Sequence, residues 1–215
     1  MDRIENGEEL AMMDKPVRHG FIFCCALLAA LALCGPLAAA PTTPSGTALA
    51  AAANSQVGVT LGYDAAYRKI AYPGGDVAQQ TGVCTDVVIR AYRRFGIDLQ
   101  LLVHQDMSRA FAAYPKLWQL KTTDTNIDHR RVPNLATFFK RHGQTLAVSQ
   151  DGATWLAGDI VTWRLSSGVP HIGIIAPQRT NKGVPLVIHN IGEGAKLEDR
   201  LFEYAVSGHY RYLPR

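Results

Sequence analysis

Thr81-Gly82-Val83-Cys84-Thr85-Asp86-Val87-Val88-Ile89-Arg90-Ala91-Tyr92-Arg93-Arg94-Phe95-Gly96 reads as a turn that feeds one helix. Val87, Val88, Ala91, Tyr92 and Phe95 recur at spacings of one, three and four and make a single apolar face. Gly96 stands where a C-terminal cap glycine belongs, so the helix is read as Thr85–Phe95. Cys84 enters at its first turn, three and four residues before Val87 and Val88, and so turns toward the core. The first turn of a helix leaves backbone N–H groups unpaired and partly positive. That position favours a thiolate and offers donors to a developing oxyanion.

Helical signals surround this segment. Tyr63–Ala71 is a short amphipathic stretch closed by Pro73-Gly74-Gly75. A further helix over about Gln105–Ala113 carries Met107 and Phe111, and another starts near Pro133, carries Leu135, Phe138 and Phe139, and ends at Gly143. Downstream the pattern changes to strands. Ile160–Leu165, His171–Ala176, Pro185–Asn190 and Gly208–Leu213 are separated by turn residues such as Ser166-Ser167-Gly168. Helices followed by a meander predict an α+β domain, with N-terminal helices packed on an antiparallel sheet.

The N-terminal forty residues have another character. Lys15, Arg18 and His19 precede an apolar run from Phe21 to Leu33, and Ala38-Ala39-Ala40 closes the stretch. This is the pattern of a secretory signal peptide, with a possible translation start at Met12 or Met13. A retained anchor is the alternative, but the run is short for a bilayer span of about 20 residues. Leu33 before Cys34 argues against lipid attachment there. Residues 41–60, rich in Pro, Thr, Ser, Gly and Ala, read as a flexible linker, and 61–215 as one domain.

Removing 1–40 takes three basic and five acidic residues from totals of 22 and 18, leaving a formal charge of about +6. That suits an anionic cell-wall or envelope neighbour, while the scattered basic residues do not suggest nucleic acid. Of four cysteines, three lie in the leader, so Cys84 is the lone thiol of the mature chain. With no paired Cys-x-x-Cys, neither a metal site nor any cofactor is expected. The thiol is either an inert packed residue or a used nucleophile.

A nucleophilic Cys84 needs a base. His171 opens a strand directly after a turn, where it can face the helix from the sheet edge, and His189 lies near the end of the next strand. Strands about 4.8 Å apart bring two such imidazoles within hydrogen-bond reach. His189 then orients His171. By pattern alone, three packed core residues explain the same positions. Asp86 suits a substrate amine or simply the charge of a first helical turn. Asp128, His129 and Arg130, followed by Arg131, suit a substrate carboxylate or a loop of local ion pairs. Asn190, on the face opposite His189, completes the substrate-binding candidates. His104-Gln105-Asp106 reads as a helix cap, Trp118, Trp155 and Trp163 as core, and His209 as edge-strand surface.

Gly82-Val83-Cys84-Thr85-Asp86, Gly158-Asp159-Ile160-Val161, His171-Ile172-Gly173-Ile174-Ile175 and Val187-Ile188-His189, in that order, resemble the NlpC/P60 cysteine peptidase superfamily. With Tyr72-Pro73-Gly74-Gly75-Asp76, Ile127 to Asn134 and His189-Asn190-Ile191-Gly192, the chain resembles more closely the DUF1287 group of exported bacterial proteins, from about Tyr63 to Pro214. The resemblance implies a papain-like α+β fold and a Cys–His–polar triad, with Cys84 as nucleophile, His171 as base and His189 as third member. It implies cleavage of peptide or amide bonds, often in cell-wall peptide. Val83 and Thr85-Asp86 depart from the Asp and Ser-Gly that flank the cysteine in many superfamily members and hold a stem peptide's amine end. Two other function classes share the fold: a catalytically silent wall-binding module, and a thiol acyltransferase using the same triad.

Overall fold

The computed structural model describes residues 45–214, and the leader reading therefore lies outside the described residues. Four helices run ahead of six strands: α1 (Gly46–Asn54), α2 (Cys84–Arg93), α3 (Leu99–Arg109), α4 (Val132–His142), β1 (Gln144–Thr145), β2 (Ile160–Arg164), β3 (Pro170–Arg179), β4 (Pro185–His189), β5 (Lys196–Glu198) and β6 (Ala205–Arg211). The strands form one sheet in the order β1-β6-β2-β3-β4-β5, every neighbouring pair antiparallel. This is the α+β arrangement the sequence predicts. No described helix is long and apolar enough to cross a membrane.

The period-two alternation of β2, β3 and β4 covers both sheet faces with apolar side chains. Ile160, Ile172, Ile174 and Ile188 meet the helices, packing with Cys84, Val87, Val88, Tyr92 and Phe139. Val161, Trp163, Ile175 and Val187 cover the other face with Trp155 and Leu201. Gly173 sits where the strands close tightly: a Cβ there would lie 2.7 Å from Val187 Cγ1. Each fully buried Ile or Trp in these layers contributes roughly 1.5–3 kcal/mol relative to exposure.

Four local readings are corrected. Residues 46–54, read as linker, are helix α1, capped by Ser45, with Leu49, Ala50 and Ala53 fully buried. Its composition looked like low complexity, yet alanine is the strongest helix former, and burial of one face fixes the helix. Tyr63–Ala71 is not helical. Its backbone is held from outside, by Asn126 Oδ1 on Ile70 N–H and by Gly82 O on Asp64 N–H. Helix α3 starts at Leu99, capped by Asp98, so His104-Gln105-Asp106 lies inside it rather than at its start. Asp106 there accepts from Tyr114 and Arg141. His209 is buried: its ring stacks on Trp155 at 3.7 Å, and its Nε2 lies 2.8 Å from Asp159 Oδ2. With Arg211 on the same carboxylate, Asp159 of the Gly-Asp pair pins β6 to the start of β2.

Candidate active site

Cys84 is the first residue of α2, one residue earlier than the helix read from the sequence. Its place is fixed by the turn before it. Val83 is extended, and its N–H donates to Asp86 Oδ2 at 2.7 Å, half of a capping box closed by a side chain one turn ahead. Gly82 is required by proximity, since a Cβ there would lie 2.9 Å from the same oxygen. From the far side, the Asn190 amide donates to Gly62 O and Gly82 O at 3.1 and 3.2 Å. The turn carrying the thiol is thus clamped to the end of β4.

The N–H groups of Cys84 and Thr85 have no backbone acceptor among the described residues and bear on the Cys84 sulfur. First-turn N–H groups of this kind can also stabilise an oxyanion on a carbonyl that the sulfur attacks. The thiol itself is buried, 4% exposed, at the floor of a cavity of about 180 Å³ bordered by Tyr63, Val83, Trp118, Arg131, Val132 and Pro170. Burial pushes the Cys84 thiol up to about 12, against the N–H groups of Ile172, Thr85 and Cys84, which favour the thiolate. The resting thiolate expected from the helix terminus is therefore outweighed by desolvation. The same burial raises the Tyr63 hydroxyl to about 12, with Cys84 the next largest influence.

His171 is the second residue of β3, and the following N–H, that of Ile172, is the one that bears on the Cys84 sulfur. His171 and His189 share the sheet face with Trp163, opposite the helix-facing isoleucines. The expectation that His171 faces the helix is corrected by the alternation of β3. The thiol instead meets the strand at its backbone, at the Ile172 N–H, and no hydrogen bond joins it to the His171 ring among the described residues. His171 Nε2 lies 2.9 Å from His189 Nδ1. Beyond it, His189 Nε2 lies 3.1 Å from Glu198 Oε2 on β5, out of line for a straight hydrogen bond. Burial, then His189, pulls His171 down to about 3, and burial lowers His189 as well. Both rings are neutral at neutral pH.

The proton order along this row depends on the tautomer of each ring. A His189 tautomer that points its Nε2 proton at the Glu198 carboxylate would leave Nδ1 as acceptor. His171 would then donate from Nε2, and its Nδ1, which has no protein partner among the described residues, would carry the lone pair of a base.

The other candidates are placed differently. Asp86 and Arg130 meet each other, Nε to Oδ1 and Nη2 to Oδ2 both at 2.9 Å, with side chains 4% and 2% exposed. Neither is left for substrate. Asp128 is buried and accepts from the Asp124 N–H; His129 is buried and held down to about 4 by desolvation, then by Arg130. Neither borders the cavity at Cys84. Asn190 positions the turn, with its oxygen taken by the Gly192 N–H. Among the described residues no cluster of metal-ligating side chains occurs. Sequence reasoning missed Tyr63 and Glu198, whereas Arg131, named with Asp128, His129 and Arg130 for a substrate carboxylate, is the one of that group that borders the cavity beside Arg130 without a bidentate partner. Glu198 follows a glycine-rich turn that hid a three-residue strand, and Tyr63 was absorbed into a helix that does not form.

A family model described as "Domain of unknown function (DUF1287)" matches residues 50–212. "Uncharacterized protein YijF" of Escherichia coli (strain K12) is 56% identical over 166 residues, 77% of this chain and 81% of that protein. Among solved structures, NlpC1 and NlpC2 from Trichomonas vaginalis are 21% and 20% identical, each at a TM-score of 0.42 over 81% of this chain. The chain spans about half the length of both, 47% and 50%. The match over nearly all of the described residues and the identity to the Escherichia coli protein together place this chain in the DUF1287 family.

Proposed function

We propose that the protein is a cysteine hydrolase that opens a peptide or amide bond, with Cys84 as nucleophile, His171 as base and His189 as the residue that orients it. The observation that carries the reading is the His171 Nε2–His189 Nδ1 contact at 2.9 Å, which turns the unpartnered Nδ1 into the base beside the strand residue that meets the thiol. Because thiol and imidazole are both neutral at rest, the proton moves as the carbonyl is attacked. Cys84 passes it to His171 Nδ1, the sulfur bonds to the carbonyl carbon, and the oxyanion lies against the N–H groups of Cys84 and Thr85. The imidazolium returns the proton to the leaving amine, and water, deprotonated by the same nitrogen, releases the acyl group. The leader pattern and the positive mature charge favour export and a cell-wall peptide or related envelope amide as substrate.

A catalytically silent binding module is the second reading, favoured by the burial that holds the Cys84 thiol near 12. Purified protein incubated with whole peptidoglycan and with acyl esters, followed by mass analysis of products, separates the readings. Turnover that disappears in Cys84→Ser supports hydrolysis. Acyl transfer to an added amine in preference to water marks a transferase. Binding without turnover supports the silent module.

A further inference from the structure

We propose that the cavity over Cys84 receives an apolar, residue-sized group that carries a free carboxylate, and that Arg131 is the residue that pairs with this carboxylate. The inference rests on Cys84 being the reacting group and names the substrate class for that site.

Two arginines border the cavity, and the structure separates their roles. Arg130 is spent on Asp86 through two hydrogen bonds. Arg131 has one carboxylate contact, Nη1 to Asp128 Oδ1 at 3.4 Å, and no other protein acceptor among the described residues. Its guanidinium lies on the Trp118 ring, 4.2 Å from the centroid. With Nη1 turned to Asp128 and one face on the indole, the Nε and Nη2 edge has no protein acceptor among the described residues, and that edge matches a carboxylate in two parallel bonds.

Trp118 itself is oddly placed. It is 50% exposed, and its φ of 58° and that of Gln119 at 53° put two consecutive non-glycine residues in the left-handed region. Such backbone is unfavourable and persists where surrounding structure or function requires it. Here the loop presents an indole at the rim of the Cys84 cavity instead of burying it, against the core packing expected for this tryptophan. Tyr63, Val83, Val132 and Pro170 complete a largely apolar lining. At about 180 Å³ the space falls below the roughly 300–1,000 Å³ of pockets for drug-sized ligands, and so suits one side chain rather than a long chain. An apolar wall with one open guanidinium edge, that of Arg131 Nε and Nη2, selects an apolar residue bearing a carboxylate.

Isovalerate is the equilibrium probe and isovaleramide its uncharged control, with binding to the full chain carrying Cys84→Ser followed by tryptophan fluorescence. Isovalerate is expected to bind saturably, about tenfold or more weakly after Arg131→Gln, with partial retention in Arg131→Lys, while isovaleramide binding is unaffected. In the chain with Cys84 intact, the ratio of iodoacetate to iodoacetamide alkylation rates is expected to exceed that of glutathione by about tenfold and to fall to the glutathione value in Arg131→Gln. Melting curves confirm that both variants fold; Arg131→Lys serves if Arg131→Gln does not. A ratio equal to that of glutathione in the parent chain, or isovalerate binding indifferent to Arg131, overturns the proposal. If isovalerate binds through Arg131 while neither reagent alkylates Cys84, the carboxylate site stands and the nucleophile reading falls.

Discussion

His171 and His189 meet through their ring nitrogens at 2.9 Å, with the two planes nearly perpendicular at 81° and Trp163 packed against both. The contact is diagonal across β3 and β4, whose register pairs Ile174 with Ile188. Two strands, not a loop, hold the pair, and under the proposed hydrolase reading His189 is the positioning residue.

His189→Ala is therefore expected to lower kcat/KM by about 10- to 100-fold with KM little changed, since the variant loses orientation of the base and no substrate contact. His189→Asn, which can still accept from His171 Nε2, is expected to recover part of the loss. Glu198→Gln is expected to act in the same direction more weakly, through the tautomer of His189. Steady-state kinetics on a substrate found by product analysis checks all three.

Stability is expected to fall on acidification below about pH 6.5. His171 and His129 are held down to about 3 and about 4 in the folded protein, so the unfolded chain takes up their protons first. At pH 5 each contributes about 2 kcal/mol of lost stability relative to neutral pH. Denaturant midpoints at pH 7 and pH 5 measure the loss, and His129→Gln is expected to remove its own share while leaving that of His171.

The Asp86–Arg130 pair is expected to be structural. Asp86→Ala or Arg130→Leu alone leaves a buried unpaired charge and is expected to cost about 3–5 kcal/mol in urea unfolding. The double variant is expected to recover part of that loss. Asp86→Ala also frees the Val83 N–H, and so is expected to reduce Cys84 reactivity more than Arg130→Leu does.

Helix α1 narrows where the proposed leader would be cut. Leu49, Ala50 and Ala53 are buried in the core, so cleavage within the helix would expose it. Exported protein is expected to begin between about Ala38 and Ser45, which N-terminal sequencing would establish. A terminus before Phe21 would remove the secreted reading.

Much of this architecture was legible where burial is one-sided and periodic. The 3.6-residue spacing of Val87 to Phe95 marked α2, and the alternation around Ile172 and Ile188 marked the central strands. Those two signals also placed Cys84 at the helix start and His171 within reach of His189, but not the sheet face that the two rings occupy. What escaped notice depends on contacts distant in sequence. Tyr63–Ala71 has a helix-like pattern, but Asn126 and Gly82 capture its backbone. Asp86 and Arg130, 44 residues apart, each looked free for substrate until the fold joined them. The protonation of Cys84 was misjudged for a related reason: helix position can be read locally, whereas desolvation depends on what packs over the sulfur.

The central claim is that His171 takes the proton of Cys84. Its most direct test is the pH dependence of iodoacetamide alkylation at Cys84 in the folded protein, with and without His171→Ala. Burial, only partly offset by the nearby N–H groups, pushes the thiol up to about 12, so an unassisted cysteine would be almost unreactive at pH 7. The expected result is measurable alkylation at pH 7 that falls by about 10²-fold in His171→Ala, with the two rates converging toward high pH. Equal rates at pH 7 in the two proteins, or alkylation that begins only on unfolding, would contradict the claim.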